Sequence, residues 1–481
     1  MEITRRTVLG AGAALPLVAA QGASAGPSPG DWADLNAALR GSVSLPGTSD
    51  YRSRAPLFDP HWDFRRPAAV ARVLSTRDVA TCVGFARDHG LPVTGRSGGH
   101  SYVGASATTG ALVVDTRSLR SVDLTPGRTQ TTVGAGAGLY SVHEALAAQG
   151  RSIPTGTCPT VGTAGLTLAG GLGVDSRRYG LTADRLVRAT VVDGRGRIRT
   201  VDASHDADLY WALRGGGSGA ALVTSFTYRT IPATSMGFFS LSFPASSAAT
   251  VVRRWAEWVA EQPSDTWANA HVDTAGSSLS VRVFGVCPAG RQDSRALSLR
   301  RAIGITPTRT STTSRAHLDA IRYLGGGSTT PRTRFVAGSD IVRVMTSGTA
   351  EAVVTAMRSA ASRGLAASAI LDPLDGAVGS PWATATPFPW RNHTASIQWY
   401  VGLPTSATST HYSRARSWIA HAHDLMGARS SGGYLGLSRG RPAPAGVPLR
   451  QRDPAHAGPG HLRPGRHHPL TPDFVVALPR R

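Results

Sequence analysis

Two glycine-rich segments of the chain each carry one side chain that can act as a nucleophile. Residues 95–104 read GRSGGHSYVG and contain His100, and residues 156–165 read GTCPTVGTAG and contain Cys158. Glycines at strand ends let backbone N–H groups approach a phosphate closely, and a helix that begins near Val161 would add its positive end. An anionic dinucleotide is therefore a candidate ligand. Neither segment has the G-x-G-x-x-G spacing with a later acidic residue, so the nicotinamide fingerprint is not met.

Each of these nucleophiles also has a more ordinary interpretation. A histidine beside glycines usually makes hydrogen bonds or binds a metal, and a lone cysteine is usually inert. The three cysteines, Cys82, Cys158 and Cys287, are widely spaced and include no C-x-x-C pair. This pattern indicates neither a zinc site nor a disulfide framework, and we predict no metal site. Cys82 lies on the apolar face of a predicted helix and is expected to be a core thiol.

The letters around both nucleophiles resemble a known pair of motifs. Residues 96–102 (RSGGHSY) and 156–162 (GTCPTVG) closely resemble the two flavin-linking motifs of the berberine bridge enzyme-like oxidases. These are FAD-linked oxidases of the vanillyl-alcohol oxidase superfamily, with a PCMH-type FAD-binding domain. The resemblance continues through residues 176–182 and 209–217, and it covers roughly residues 40–430.

This resemblance implies a cofactor and the residues that hold it. In the family a histidine bonds the flavin 8α carbon and a cysteine bonds C6, so His100 and Cys158 are expected to hold FAD bicovalently. Both segments would press on one ring, and only glycine permits so close an approach. The other cofactor-binding residues that the match implies are Arg96, Ser97, Gly98, Gly99, Ser101, Tyr102, Val161, Gly162, Gly165 and Val223.

The family reaction is a two-electron oxidation of a hydroxylated substrate. A base removes the hydroxyl proton while a hydride moves to the flavin, and dioxygen reoxidises the flavin and yields hydrogen peroxide. In the family the residue three positions after the linking cysteine gates the access of oxygen, and the small Val161 occupies that position. Leu172 stands where several relatives that oxidise sugars or phenolic alcohols have a tyrosine. The implied substrate is a carbohydrate or a secondary metabolite.

The predicted substrate side lies on a strand near residue 400. Side chains alternate along residues 395–401, so Gln398 and Tyr400 are expected on the same face, in a segment that resembles a flavin-facing strand of relatives. We interpret Gln398 as a substrate-orienting group and Tyr400 or Tyr434 as the proton acceptor. That role requires neighbours that lower the pKa of the phenol. The alternative for each tyrosine is a core position in which the hydroxyl is satisfied.

The elements that must position these residues follow no strict β-α-β rhythm. Residues 77–90 are predicted to form a helix, and Asp193-Gly194 splits a predicted hairpin within residues 187–201. This order favours an α+β fold over a doubly wound sheet. We predict an FAD-binding domain over residues 26–235 and an α+β substrate-binding domain over residues 236–430, whose sheet covers the flavin. The predicted strands of the first part are residues 67–74, 91–95, 111–116 and 129–133.

The first residues of the chain differ from its middle. Residues 1–25 contain the paired arginines Arg5 and Arg6, a short apolar run and an Ala-Ser-Ala cleavage site. This order is typical of a twin-arginine signal peptide, and the run is too short for a transmembrane helix. We therefore expect the twin-arginine export machinery as a partner and a secreted or extracytoplasmic protein.

Residues 431–481 are predicted to form a divergent, disordered tail. From residue 438 onward the chain holds nine prolines and eight arginines against two acidic residues, a composition that buries too little apolar surface to become ordered. Relatives end in a Tyr-x-Asn-Tyr-x-Asp segment, which begins similarly at Tyr434 and then disappears. A shifted reading frame near Leu435 or a truly divergent tail explains the change. The alternative function that follows is a flavin-binding protein without catalysis.

The composition limits the classes of partner. Of the 481 residues, 41% are hydrophobic and 17% are charged, without a collagen-like glycine repeat, so we expect a globular protein. A net charge of +21 would normally suggest a polyanionic partner. All 51 basic residues, however, are arginines dispersed along the chain rather than gathered in one stripe. We therefore expect a small-molecule substrate and dioxygen, with neither nucleic acid nor stable membrane insertion.

Overall fold

The computed structural model describes residues 26–437, except Ser218 and Ala383, together with residues 475–476. The predicted signal peptide and most of the predicted tail lie outside the described residues. Within the described ranges, no helix combines the length and the apolar character that crossing a membrane requires. The α-helices are α1 (Pro29–Ala38), α2 (Ser49–Arg54), α3 (Thr76–Asp88), α4 (Leu139–Ala147), α5 (Thr163–Leu168), α6 (Ser176–Tyr179), α7 (Ala207–Ala212), α8 (Ala248–Glu261), α9 (Gln292–Ile303), α10 (His317–Gly325), α11 (Ser347–Ser362) and α12 (Ser409–Met426).

The strands form three large sheets and one two-stranded ribbon. They are β1 (Ser42–Ser44), β2 (Ala69–Arg72), β3 (Val93–Arg96), β4 (Leu112–Asp115), β5 (Val122–Leu124), β6 (Gln130–Gly134), β7 (Arg151–Ser152), β8 (Leu186–Asp193), β9 (Ile198–Asp202), β10 (Ala221–Arg229), β11 (Ile231–Pro232), β12 (Met236–Phe243), β13 (Trp267–Ala275), β14 (Ser278–Pro288), β15 (Arg309–Arg315), β16 (Phe335–Val342), β17 (Ala367–Pro373), β18 (Ala395–Gly402) and β19 (Val475–Val476).

Among the described strands, parallel pairing is confined to the first sheet. Its strand order is β1-β2-β4-β3-β19, and β4 runs parallel to both β2 and β3. The second sheet has the order β5-β6-β10-β8-β9, and the third has the order β15-β12-β14-β13-β17-β18-β16, both with antiparallel pairs. This mixture of helices with largely antiparallel sheets confirms the predicted α+β fold.

Helix α3 connects β2 to β3 and begins with a capped turn. The Ser75 hydroxyl accepts a hydrogen bond from the Asp78 N–H, and the Asp78 carboxylate accepts one from the Leu74 N–H. Both contacts stabilise the helix start, where backbone N–H groups lack helical partners. The apolar face of α3, which includes the fully buried Cys82, packs against the first sheet. The prediction that Cys82 is a core thiol is thus confirmed.

The predicted hairpin near residue 193 is also confirmed. Strands β8 and β9 pair antiparallel, with Val192 opposite Ile198. The Asp193 carboxylate accepts hydrogen bonds from the Arg195 and Arg197 N–H groups and so closes the turn. On its other edge β8 pairs with β10. Leu222, at the beginning of β10, is buried in the same core cluster as the first sheet, so this end of β10 lies beside that sheet.

Helices α8, α9, α11 and α12 pack against one face of the third sheet. Ile397 and Trp399 of β18 are completely buried in the core between this sheet and the helices. Because side chains alternate along a strand, Gln398 and Tyr400 share the opposite face, as predicted. The Trp399 indole N–H donates to the Asp340 carboxylate on β16, at 2.6 Å. The face of β16 and β18 that lies opposite the helices, and that carries Tyr400, turns towards the first part of the chain.

The prediction of a disordered tail from residue 431 onward is wrong for residues 431–437, which run beside strand β16 and are hydrogen-bonded to it. The Ser431 N–H donates to the Ile341 carbonyl, and the Ile341 N–H donates to the Gly432 carbonyl, at 2.8 and 2.9 Å. The Tyr434 N–H donates to the Ser339 hydroxyl at 2.9 Å, and Tyr434 itself is buried. Strand β19 pairs antiparallel with β3 at the edge of the first sheet.

Candidate active site

A cavity of about 450 Å³ lies between the first two sheets and the face of the third sheet that its helices do not cover. This volume falls within the range of about 300–1,000 Å³ that is usual for cofactor and ligand pockets. All the predicted cofactor-binding residues line the cavity, and so do Tyr400 and Tyr434. Gln398 is the one predicted site residue that does not line it. The predicted residues in the lining are Arg96, Ser97, Gly98, Gly99, His100, Ser101, Tyr102, Cys158, Val161, Gly162, Gly165, Val223, Tyr400 and Tyr434.

The two glycine-rich loops pack backbone against backbone. A Cβ atom on Gly98 would overlap the Gly162 nitrogen and approach the Thr160 carbonyl oxygen to 2.6 Å. Gly99 has a φ of +72°, a conformation that glycine adopts without strain. The Ser97 hydroxyl donates to the Ala135 carbonyl at 2.6 Å and anchors the first loop. This close approach explains why His100 and Cys158 face the same cavity.

His100 is held from two directions. Its Nε2 atom lies 3.0 Å from the Thr160 hydroxyl, and the Phe58 ring stacks on the imidazole with 3.8 Å between centroids. Burial lowers the pKa of His100 to about 4, against the opposing effect of a backbone hydrogen bond with Thr160. The imidazole is therefore neutral at neutral pH, which is the form that can act as a nucleophile.

Cys158 differs from the other two cysteines in its surroundings. Cys82 and Cys287 are buried, and burial raises the pKa of both thiols, to about 11 for Cys287. Cys158 is half-buried and lines the cavity. Its sulfur lies 3.7 Å from the Thr330 hydroxyl and 4.0 Å from the Thr160 hydroxyl. Accessibility to a bound molecule thus singles out Cys158.

An aromatic wall lies opposite the glycine loops. The Tyr102 hydroxyl accepts a hydrogen bond from the Gln398 side-chain amide at 2.8 Å. The Phe335 ring meets Tyr102 edge-on at 4.9 Å and stacks on Tyr400 at 5.3 Å. Burial, followed by the nearby charges of Asp59 and Cys158, raises the pKa of Tyr400. This shift is opposite to the one that a proton acceptor needs.

Tyr434 closes the cavity on a different side. Its hydroxyl accepts a hydrogen bond from the Gly171 N–H at 3.1 Å, and burial raises its pKa to about 12. This satisfied hydroxyl matches the alternative interpretation of a core tyrosine. Asp372 on β17 lies near enough for its charge to add to the shift of Tyr434. Burial raises the pKa of Asp372 itself to about 6, against a hydrogen bond from the Asn269 amide.

Arg96 supplies a buried positive charge at the cavity wall. It pairs with Asp115 at 2.9 Å, and both side chains are almost completely buried. Burial alone would raise the pKa of Asp115, but Arg96 and Arg117 together lower it to about 2. The Arg96 Nε atom is buried and has no hydrogen-bond partner within the described residues. An unused cationic N–H, glycine backbones and two nucleophiles in one cavity suit an anionic flavin dinucleotide.

Several lining residues had no role in the sequence-based prediction. Phe58, Thr330 and Phe335 contact the predicted nucleophiles or the aromatic wall, yet none belongs to the recognised motifs. Asp372 does not itself line the cavity but lies near Tyr434, in a segment that resembles the flavin-facing strands, and its type alone indicated no role. Alternation along β17 was the one signal available, because it places residue 372 opposite the helix-facing Leu371.

Comparison with known proteins agrees with this geometry. Residues 67–202 match the family model described as an FAD binding domain. The chain is 38% identical over 169 residues to glucooligosaccharide oxidase of Sarocladium strictum, a match covering 35% of this chain and 34% of that protein. It is 33% identical over 211 residues to berberine bridge enzyme-like 18 of Arabidopsis thaliana, covering 42% and 39% respectively. The chain spans about half the length, or less, of the curated relatives that it matches.

Most of the chain shares its fold with a solved structure. Berberine bridge enzyme-like 1 of Physcomitrella patens superposes with a TM-score of 0.76 at 24% identity, covering 85% of this chain and 91% of that chain. An identity this low supports likeness of fold alone, whereas the family model identifies the part that binds the cofactor. Residues 67–202 therefore match the FAD binding domain, and the chain shares the fold of a berberine bridge enzyme-like protein.

Proposed function

We propose that the protein is an FAD-dependent oxidase in which His100 and Cys158 bind the flavin covalently. The observation that carries this proposal is that a neutral imidazole and an accessible thiol, brought together by two glycine loops, line one cavity. FAD held by these residues would supply two-electron redox chemistry, with dioxygen as the final electron acceptor and hydrogen peroxide as the by-product. Val161 lines the same cavity, and its small side chain is compatible with access of oxygen.

We propose a hydroxylated substrate, either a carbohydrate or a secondary metabolite. Two relatives are named glucooligosaccharide oxidase and xylooligosaccharide oxidase, which supports a sugar. The aromatic wall of Tyr102, Phe335 and Tyr400 offers flat faces on which a sugar ring or an aromatic ring can pack. The Gln398 amide, through its contact with Tyr102, orients the phenol towards the substrate.

Two groups remain candidates for accepting the substrate proton in this proposal. Tyr400 lines the cavity, but its pKa is raised, so it requires a compensating positive charge when it acts. Asp372 and Tyr434 form a second pair, in which a carboxyl with a pKa of about 6 is ionised at neutral pH. Separate replacement of Tyr400 by phenylalanine and of Asp372 by asparagine distinguishes them, because the true acceptor controls the acidic limb of the pH–rate profile.

The proposed domains and location complete this interpretation. We propose residues 26–235 as the FAD-binding domain and residues 236–430 as the substrate-binding domain, with export through the twin-arginine route. Residues 434–437 line the cavity, which disfavours a protein that has lost its C-terminal active-site segment. Oxygen consumption with oligosaccharides, alcohols and alkaloids tests catalysis directly.

The covalent link has a direct test. The purified protein is expected to be yellow, and the colour should stay with the chain after acid precipitation. Replacing His100 and Cys158 together by alanine should leave only flavin that acid releases into the supernatant. If the unaltered protein releases all its flavin in acid, covalent attachment is refuted.

A further inference from the structure

The hydroxyl of Thr160 lies between the two residues proposed to bind the flavin. Its oxygen is 3.0 Å from His100 Nε2 and 4.0 Å from the Cys158 sulfur. The residues on either side of Thr160 are fixed to the start of α4, because the Leu139 N–H donates to the Val161 carbonyl and the Tyr140 N–H donates to the Pro159 carbonyl. Thr160 is therefore part of a rigid turn rather than a freely moving side chain.

A neutral imidazole has one N–H and one lone pair, and the two nitrogens have different roles. If the hydrogen is on Nε2, it donates to the Thr160 hydroxyl, and Nδ1 carries the lone pair that forms a new bond. The Phe58 ring stacks on the imidazole and restricts its tilt. Together, the hydroxyl and the aromatic ring restrict the orientation of the His100 imidazole.

We propose that Thr160 is a positioning residue for covalent attachment of the flavin: its hydroxyl accepts a hydrogen bond from His100 Nε2, orients the imidazole for bond formation at Nδ1, and lies within reach of the Cys158 thiol. This inference rests on the proposed bicovalent FAD. It assigns to Thr160 a role in building the active cofactor rather than in oxidising the substrate.

The attachment step balances with dioxygen as the oxidant. At His100 one N–C bond replaces an imidazole N–H bond and one C–H bond of the flavin methyl group. The two protons and two electrons pass through the reduced cofactor to dioxygen, which becomes hydrogen peroxide. At Cys158 one S–C bond replaces the S–H bond and a ring C–H bond, and a second dioxygen is consumed in the same way.

The geometry predicts a difference between two neighbouring threonines. Thr160 contacts both nucleophiles, whereas Thr330 has a contact with the Cys158 sulfur only, at 3.7 Å. Thr160→Val removes the hydroxyl but keeps the shape, and Thr160→Ser restores a hydroxyl. Thr157→Val is the matched control, because Thr157 lies in the same loop with its side chain exposed.

The experiment measures how fast each link forms when FAD and oxygen are supplied to flavin-free protein. Mass spectrometry of the two linked peptides reports each bond separately. In Thr160→Val the His100 link should form about tenfold more slowly, which corresponds to about 1.4 kcal/mol, a usual value for one hydrogen bond. Thr160→Ser and Thr157→Val should match the unaltered protein, and Thr330→Val should slow the Cys158 link only.

The possible results separate the two proposals. If the unaltered protein forms neither link, bicovalent FAD is refuted, and the role of Thr160 with it. If the unaltered protein forms both links and Thr160→Val forms them at the same rate, only the role of Thr160 is overturned. If Thr160→Val does not fold, the comparison of Thr160→Ala with Thr160→Ser decides, and equal rates in these two overturn the inference.

Discussion

Two glycines beside the cavity differ in what a methyl group would meet. A Cβ atom on Gly162 would overlap the Ser97 hydroxyl and the Gly98 nitrogen, whereas nothing lies within 4 Å of one on Gly165. Gly162 has φ −85° and ψ 141°, which alanine adopts readily, and Gly165 lies within α5. Both backbone conformations therefore suit alanine, and the two substitutions differ mainly in whether the added methyl group overlaps neighbouring atoms.

Gly162→Ala is expected to push the two glycine loops apart. Overpacking of this kind lowers the free energy of unfolding by about 1–3 kcal/mol, and it should also reduce the flavin content of the purified protein. Gly165→Ala should be neutral or stabilise by up to about 1 kcal/mol, because alanine favours the helix. Urea unfolding and flavin absorbance measure both effects. Equal stability of the two variants would contradict the close packing of the loops, whereas flavin content is compared between Gly162→Ala and the unaltered protein, because Gly165 itself lines the cavity.

At the scale of elements, a buried pair of histidines joins α4, β7 and α10. His143 on α4 hydrogen-bonds the Ser152 hydroxyl at 3.1 Å and the Thr155 hydroxyl at 2.7 Å. His317 on α10 contacts the same Ser152 hydroxyl at 3.1 Å. Burial, and then the neighbouring His317, lowers the pKa of His143 to about 3, and burial also lowers the pKa of His317. Both rings are therefore neutral in the folded protein at neutral pH.

This pair predicts that the protein loses stability in acid. Unfolded histidine has a pKa of about 6.5, so the stabilising contribution is complete above that pH and is lost as the pH falls towards about 3. For His143 the loss between pH 6.5 and 5 is about 1.6 kcal/mol, because the slope approaches about 1.4 kcal/mol per pH unit below the unfolded pKa. In His143→Gln, which cannot gain a proton, this part of the decline should disappear.

Urea unfolding at several pH values between about 4 and 8 checks the expected slope. His205→Gln is the control, since the His205 side chain is 75% exposed and lies outside the pair. A His143→Gln variant with the same pH dependence as the unaltered protein would show that the buried pair does not cause the acid sensitivity.

At the scale of the whole molecule, the cavity combines segments that are far apart in the chain. Local patterns predicted α3 and the β8–β9 hairpin, because helical spacing and the Asp-Gly turn are properties of a few adjacent residues. Motif letters likewise predicted that His100 and Cys158 act at one site. Phe58, Thr330 and Phe335 could not be predicted, since their contacts depend on the order of strands in the third sheet and on where β16 crosses the first loop.

The direction in which the pKa of Tyr400 shifts could likewise not be predicted from the residues near it in the sequence. Alternation along β18 predicted that Tyr400 and Gln398 share a face, but a proton acceptor also needs a lowered pKa. Burial beside Phe335, followed by the charge of Asp59, raises it instead. Asp59 is more than 300 residues away in the chain, so no local pattern near Tyr400 indicates its influence.

The C-terminal segment offers a test of how much of the chain the cavity needs. Tyr434 packs in a cluster with Leu181 and Phe388, and Leu435 and Leu437 line the cavity. A chain that ends after Leu437 keeps these contacts and loses only residues 438–481, including the two-residue strand β19. A chain that ends after Ser430 loses the buried tyrosine and one wall of the cavity.

We expect the chain ending at residue 437 to retain its flavin and nearly all its stability. The chain ending at residue 430 should lose most of its flavin and about 3–5 kcal/mol of unfolding free energy, the usual effect of removing one large buried aromatic side chain. Tyr434→Ala within the full chain separates this side chain from the rest of the segment. Flavin absorbance and urea unfolding give both readouts. Loss of flavin from the chain ending at residue 437 would instead mean that residues 438–481 help to hold the cofactor, since every cavity-lining residue named above would still be present.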